Sequence, residues 1–194
     1  MSDSATMSVR ALHRTDLPKL SLSTKAAATV LAIVAAVALP QLFHVIGAVS
    51  GQGTMLGVAF LPMHLPIILV GLLAGPYAGA IAGAFGPLVS FALSGMPGLA
   101  MLPFMVIELA AYGLIAGLLR TANMPTIAKV LLVQVGGRAM RAAAILFAVG
   151  VLGNTTVAMA TIWMSVLAGL PGLILQWGLI PLIMFWVEHR AAKE

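Results

Sequence analysis

Cysteine is absent from this chain of 194 residues, which removes disulfides, thiolate metal sites and lipidation at cysteine from consideration. Charge is nearly as scarce, because Lys, Arg, Asp and Glu make up 8% of the residues against 61% that are hydrophobic. No water-soluble core of this length is built that way, and the 20 Gly and 11 Pro spread through the apolar segments suit membrane helices. The cations, with a net charge of +5, form no basic run and stand beside no aromatic platform, so nucleic acid is not an expected partner. Catalytic signatures are missing too. There is no Walker lysine loop, no HExxH, no GxSxG and no pair of Asp residues in a span, so neither ATP hydrolysis nor intramembrane proteolysis is expected of this chain itself.

What is present is a series of six apolar stretches near residues 26–46, 55–75, 76–94, 99–120, 127–152 and 170–187. Each is close to the roughly 20 residues a helix needs to cross a bilayer. The connections between stretches one and two, three and four, and five and six hold no Lys or Arg. Arg10, Arg14, Lys19 and Lys25 precede the first stretch, Arg120 and Lys129 bracket the fourth connection, and Arg190 and Lys193 follow the last. The positive-inside rule therefore predicts both termini in the cytoplasm and an all-α bundle of six transmembrane helices over residues 26–190. Residues 1–25 are polar, rich in Ser and Thr, and predict a disordered cytoplasmic tail. A secretory signal is the rival reading of the run before Pro40, but its leader is long and no small-x-small cleavage site follows, so the first helix is expected to be retained.

From Thr156 to Val187 the chain is apolar for longer than one span requires and too short for two. Gly169-Leu170-Pro171-Gly172 breaks it, which predicts a final helix starting near Pro171 and an outer segment over residues 151–168 that folds back over the bundle. Trp163 and Trp186 then fall near opposite interfaces, as an aromatic belt requires. Gly71, Gly75, Gly79 and Gly83 recur every four residues and predict close approach of two backbones. Ala28, Ala32 and Ala36 form a similar flat strip on the first span, which by spacing alone reads as an intramolecular seam.

Three charges lie inside spans: Glu108 near the middle of the fourth, and Arg138 and Arg141 one turn apart on one face of the fifth. An isolated charge at that depth costs about 2.5–3.5 kcal/mol, so these groups are expected to find each other or water. A Glu108–Arg138 pair that pins two helices is one reading. The other leaves Arg141 as surplus positive charge, without a carboxylate of its own, facing a wet cavity and an anionic or strongly polar ligand. His64 stands between Pro62 and Pro66, where irregular backbone is tolerated only if it is buried or lines a cavity. No second His or carboxylate stands at ligand spacing beside it, so no metal and no cofactor is expected. Ser94 and Met96 belong to a short outer turn at residues 94–98, Tyr112 shares the face of Glu108 one turn on, and Gln176 lies inside the last span beside Trp177. His64, Ser94, Met96, Glu108, Tyr112, Arg138, Arg141 and Gln176 are thus the candidate ligand-binding residues.

The run Phe60-Leu61-Pro62-Met63-His64-Leu65-Pro66, then Gly71-Leu72-Leu73-Ala74-Gly75-Pro76, Gly86-Pro87-Leu88-Val89-Ser90-Phe91, Ser94-Gly95-Met96-Pro97 and Phe104-Met105-Val106-Ile107-Glu108-Leu109-Ala110-Ala111-Tyr112-Gly113, resembles the substrate-binding S component of energy-coupling factor (ECF) vitamin transporters. Gly137-Arg138 and Gly169-Leu170-Pro171-Gly172 are also similar, and the resemblance covers roughly residues 26–187. It implies a six-helix protein of the bacterial cytoplasmic membrane that binds a vitamin or vitamin precursor at the outer side. It also implies partners, a transmembrane coupling protein and two cytoplasmic ATPases, and it assigns the strip of Ala28, Ala32 and Ala36 to docking on the coupling protein. Two rivals are a noncatalytic structural or assembly subunit, with Glu108–Arg138 as a helix staple, and a proton-linked carrier with Glu108 as its relay. Carriers often show repeated halves, and residues 99–187 carry no convincing copy of residues 26–94.

Overall fold

Proline, glycine and short polar turns cut the apolar chain into eight α-helices over residues 20–191, the range that the computed structural model describes, and there is no strand among these residues. The tail expected over residues 1–25 lies outside the described residues up to position 19, and its last four residues already form the first turn of α1 (Leu22–Val49). Ser21 caps that helix, accepting the Thr24 N–H on its hydroxyl at 3.1 Å. The second apolar stretch is two helices, α2 (Met55–Phe60) and α3 (His64–Ala74). The break falls at Leu61, the one non-glycine residue with positive φ (48°) among those described, and is followed by Pro62, which has no N–H to continue a helix. Gly75, at φ 103°, makes the turn into α4 (Pro76–Ser94), with proline in its first turn. Then come α5 (Leu102–Leu118), α6 (Thr126–Gly150), α7 (Thr161–Ala168) and α8 (Leu170–Ala191).

Five helical stretches are long and apolar enough to cross a membrane, and α5, with 17 residues, is a shorter apolar one of about 25 Å. The distribution of side chains matches a lipid solvent. Val30, Leu31, Phe85, Phe147 and Leu182 are exposed on the outside while Glu108, Gln134 and Gln176 are buried, the reverse of a water-soluble domain. The chain is a multi-pass membrane protein by this arrangement.

Helix α5 is the hub, packed against α3, α4 and α6, while α1 lies on α3 and α4 and α8 lies on α6 and α2. The glycine stripe explains why α5 sits there. A Cβ at Gly71 or Gly79 would strike the Gly113 carbonyl of α5, and one at Gly83 the Leu109 carbonyl, so only hydrogen at these positions permits the observed approach. The alanine strip of α1, expected to dock a partner, is turned inward: Ala32 and Ala36 are buried in the core, Ala36 facing Gly86 of α4, and Ala28 packs at its edge. In this arrangement Ala32 and Ala36 present almost no surface, while Ala28 keeps part of its own exposed.

The segment after α6 returns over one end of the bundle, with Val157 buried against Phe104 and Ile145. It leads into α7, a short helix with no buried residue, on which Trp163 is largely exposed. At the opposite end Trp186 is half exposed and carries the Arg190 guanidinium 3.6 Å above its ring.

Candidate ligand site

Glu108 projects from the middle of α5 into a site where almost no water reaches, its side chain 1% exposed, so its charge must be answered by protein. Two hydrogen-bond donors and one further ion-pair contact answer it. Arg141 Nη1 donates to Oε2 at 3.0 Å, Arg138 Nε lies 3.3 Å from Oε1, and the Tyr112 hydroxyl donates to Oε1 at 3.2 Å. Arg141, expected to lack a carboxylate, therefore makes the closer contact, and Glu108 is shared between the two arginines. The reason is helical: positions 138 and 141 share a face of α6, and a carboxylate has two oxygens with which to meet both. Two guanidiniums against one carboxylate still leave one positive charge unanswered in the cluster.

The surroundings fix these groups. Arg138 Nη1 donates to the Ser165 hydroxyl of α7 at 3.2 Å, and Gly169 lies where any Cβ would crowd Arg138 Nη2. His64 opens α3 directly after the Leu61–Pro62 break, is buried, packs its ring tilted against the Tyr112 ring at 5.1 Å and holds Nε2 3.9 Å from Glu108 Oε1. Neither of its ring nitrogens has a hydrogen-bond partner among the described residues, nor does Arg138 Nη2 or Arg141 Nε.

This cluster forms one wall of a cavity of about 300 Å³. The break in the second span supplies another wall through Leu61, Pro62 and Met63, and the turn after α4 supplies a third through Met96, Pro97 and Gly98. Irregular backbone at membrane depth is thus placed where it borders a cavity. Of the candidate residues, His64, Met96, Glu108, Arg138 and Arg141 are brought together at the cavity. Tyr112 stands behind Glu108 and supports it. Ser94 is exposed outside the cavity, its hydroxyl donating back to the Ser90 carbonyl at 2.8 Å. Ser90, one turn earlier and buried, lines the cavity in its place.

Gln176 belongs to a separate polar chain. Gln134 Nε2 donates to its Oε1 at 3.1 Å, Trp177 Nε1 donates to Gln134 Oε1 at 2.6 Å, and Gln176 Nε2 reaches the Leu61 carbonyl at 3.5 Å. These bonds tie α6 to α8 and hold the left-handed Leu61 in place, which gives Gln176 a supporting position behind the broken span. Trp177 is accordingly a hydrogen-bonded residue of the interior as well as a lipid-side one.

Sequence reasoning missed Gln134, Ser90 and Ser165. Gln134 had a signal, since it precedes Arg138 by one turn on the same face of α6. Serine had none, because its hydroxyl commonly satisfies itself on its own helix, as Ser165 also does by donating to the Ile162 carbonyl at 3.0 Å. No group of three or more His, Asp or Glu that could hold a metal ion exists among the described residues. Compared with protein-family models, with curated proteins and with solved structures, the chain matches none.

Proposed function

We propose that this chain is the substrate-specificity (S) subunit of an ECF-type importer, a six-span protein with both termini in the cytoplasm that binds a vitamin or vitamin precursor at its outer end. Uptake is then driven by a transmembrane coupling protein and two cytoplasmic ATPases, and the chain itself catalyses nothing. The carrying observation is the cavity of about 300 Å³ bounded by Glu108, Arg138 and Arg141 and by a broken second span, a volume at the lower end of ligand pockets. It lies at the end of the bundle whose connections, residues 50–54, 95–101 and 151–160, hold no Lys or Arg. The positive-inside rule assigns that end to the outside. Helix α5 serves as the fourth span, short but flanked by apolar residues.

The test is recovery of the tagged, full-length chain from native membranes in mild detergent, followed by identification of what accompanies it. A coupling protein, two ATPases bearing Walker lysine loops and a retained small molecule are expected. Recovery with no ATPase and no small molecule would leave the helix-staple reading of the charge cluster as the better one.

A further inference from the structure

Among the described residues the charged side chains lining the central cavity are Glu108, Arg138 and Arg141 alone. Their contacts leave an excess of one positive charge, since a single carboxylate meets both guanidiniums at 3.0 and 3.3 Å. Arg138 Nη2, Arg141 Nε and both ring nitrogens of His64 have no hydrogen-bond partner among the described residues, although His64 is 4% exposed and borders the cavity. Buried polar groups are rarely left this way in a resting protein unless a ligand or water completes them. Much of the remaining wall is soft and apolar, with Met63, Met96, Met101 and Met105 all on it. Methionine thioethers are polarisable and adapt to the shape of an aliphatic or aromatic body.

Resting on the reading of this chain as a binding subunit, we infer that the cavity takes a small amphipathic acid with one negative charge, its acid group at Arg138 and Arg141 and its apolar body against the methionines. Charge decides between the alternatives. A neutral ligand leaves the excess positive charge unanswered at membrane depth, a cation adds to it, and a multiply phosphorylated ligand brings in more negative charge than the cluster can meet. His64 offers a ring nitrogen to a further polar group near the acid, which gives the ligand a preferred direction.

Matched probes test this on the wild-type protein reconstituted in lipid nanodiscs: nicotinate against nicotinamide, pantothenate against panthenol, and biotin against biotin amide, each by titration calorimetry. At least one acid is expected to bind at least tenfold more tightly than its neutral partner, and Arg141→Gln should erase that preference while Arg141→Lys keeps part of it. The acid–neutral comparison on wild type stands even if both variants fail to fold. Absence of binding by all three acids, or no preference for acid over neutral partner, overturns the inference. So does mass-spectrometric identification of a retained molecule that is neutral, cationic or multiply anionic. In that last case an intact complex with the coupling protein and ATPases leaves the S-subunit reading standing, whereas loss of the complex together with any retained small molecule removes that reading instead.

Discussion

Replacing Glu108 by Gln keeps the shape of the side chain and deletes its charge, so the outcome depends on what is left behind. Arg141 Nη1 and Arg138 Nε sit 3.0 and 3.3 Å from its two carboxylate oxygens, all within a site where Glu108 is 1% exposed. Removing one partner of a buried ion pair costs about 3–5 kcal/mol. Here the same change orphans two cations, so the upper end of that range, about 5 kcal/mol, is expected. Arg141→Gln is the contrasting variant. It loses one charge-assisted hydrogen bond, worth about 1.5–3 kcal/mol, but it leaves Glu108 and Arg138 as a neutral pair and removes the excess charge. Its net cost should stay below about 2 kcal/mol by the same principle.

The double variant Glu108→Gln/Arg141→Gln then has only Arg138 unanswered. It should be more stable than Glu108→Gln alone, a non-additivity larger than the whole cost of Arg141→Gln and on the order of 2–3 kcal/mol, which reports direct coupling. Equilibrium unfolding in mixed micelles, followed by far-UV circular dichroism, measures all four proteins on one scale. A Glu108→Gln protein within about 1 kcal/mol of wild type, or a double variant less stable than the Glu108→Gln single, would show that the three groups do not share one site in the membrane.

Reporter fusions at Gly51, Met96 and Asn154 should read as outside and those at Ala122 and Lys193 as inside; an outside reading at Lys193 would exclude an even number of spans. Gly79→Val should lose about 1–3 kcal/mol or more in the same unfolding assay, because its Cβ meets the Gly113 carbonyl, whereas Gly178→Ala, with nothing within 4 Å, should be neutral. Ala32→Trp should destabilise the chain itself, since Ala32 is 5% exposed within the bundle, while Val30→Trp, at a position 61% exposed, should be tolerated. Failure of Ala32→Trp to shift the unfolding midpoint would mean that α1 stands away from α4 in the bilayer.

Depth along a helix was legible in the sequence, and rotation about the helix axis was not. The apolar helices could be located because apolar length and turn chemistry are properties of the chain alone: Gly75-Pro76 marks a turn whatever packs around it, and α4 begins there. Glu108, Arg138 and Arg141 could be grouped because the cost of charge in an apolar span forces convergence at one depth. Which arginine lies nearer, and whether the Ala28, Ala32 and Ala36 strip faces a neighbour or a partner, depends on how far each helix is turned, and a flat strip satisfies either. The same limit applies to the second span. Pro62 and Pro66 announce irregular backbone near His64, but nothing in the sequence marks a leucine at position 61 for the left-handed cap that ends α2. The Leu61 carbonyl accepts a local bond from the His64 N–H at 3.1 Å and a distant one from Gln176 Nε2 at 3.5 Å, and 115 residues separate Gln176 from Leu61 along the chain. A partner so far along the chain leaves no periodic signal near residue 61, so the bond from α8 that supports the break at the cavity could not be read locally.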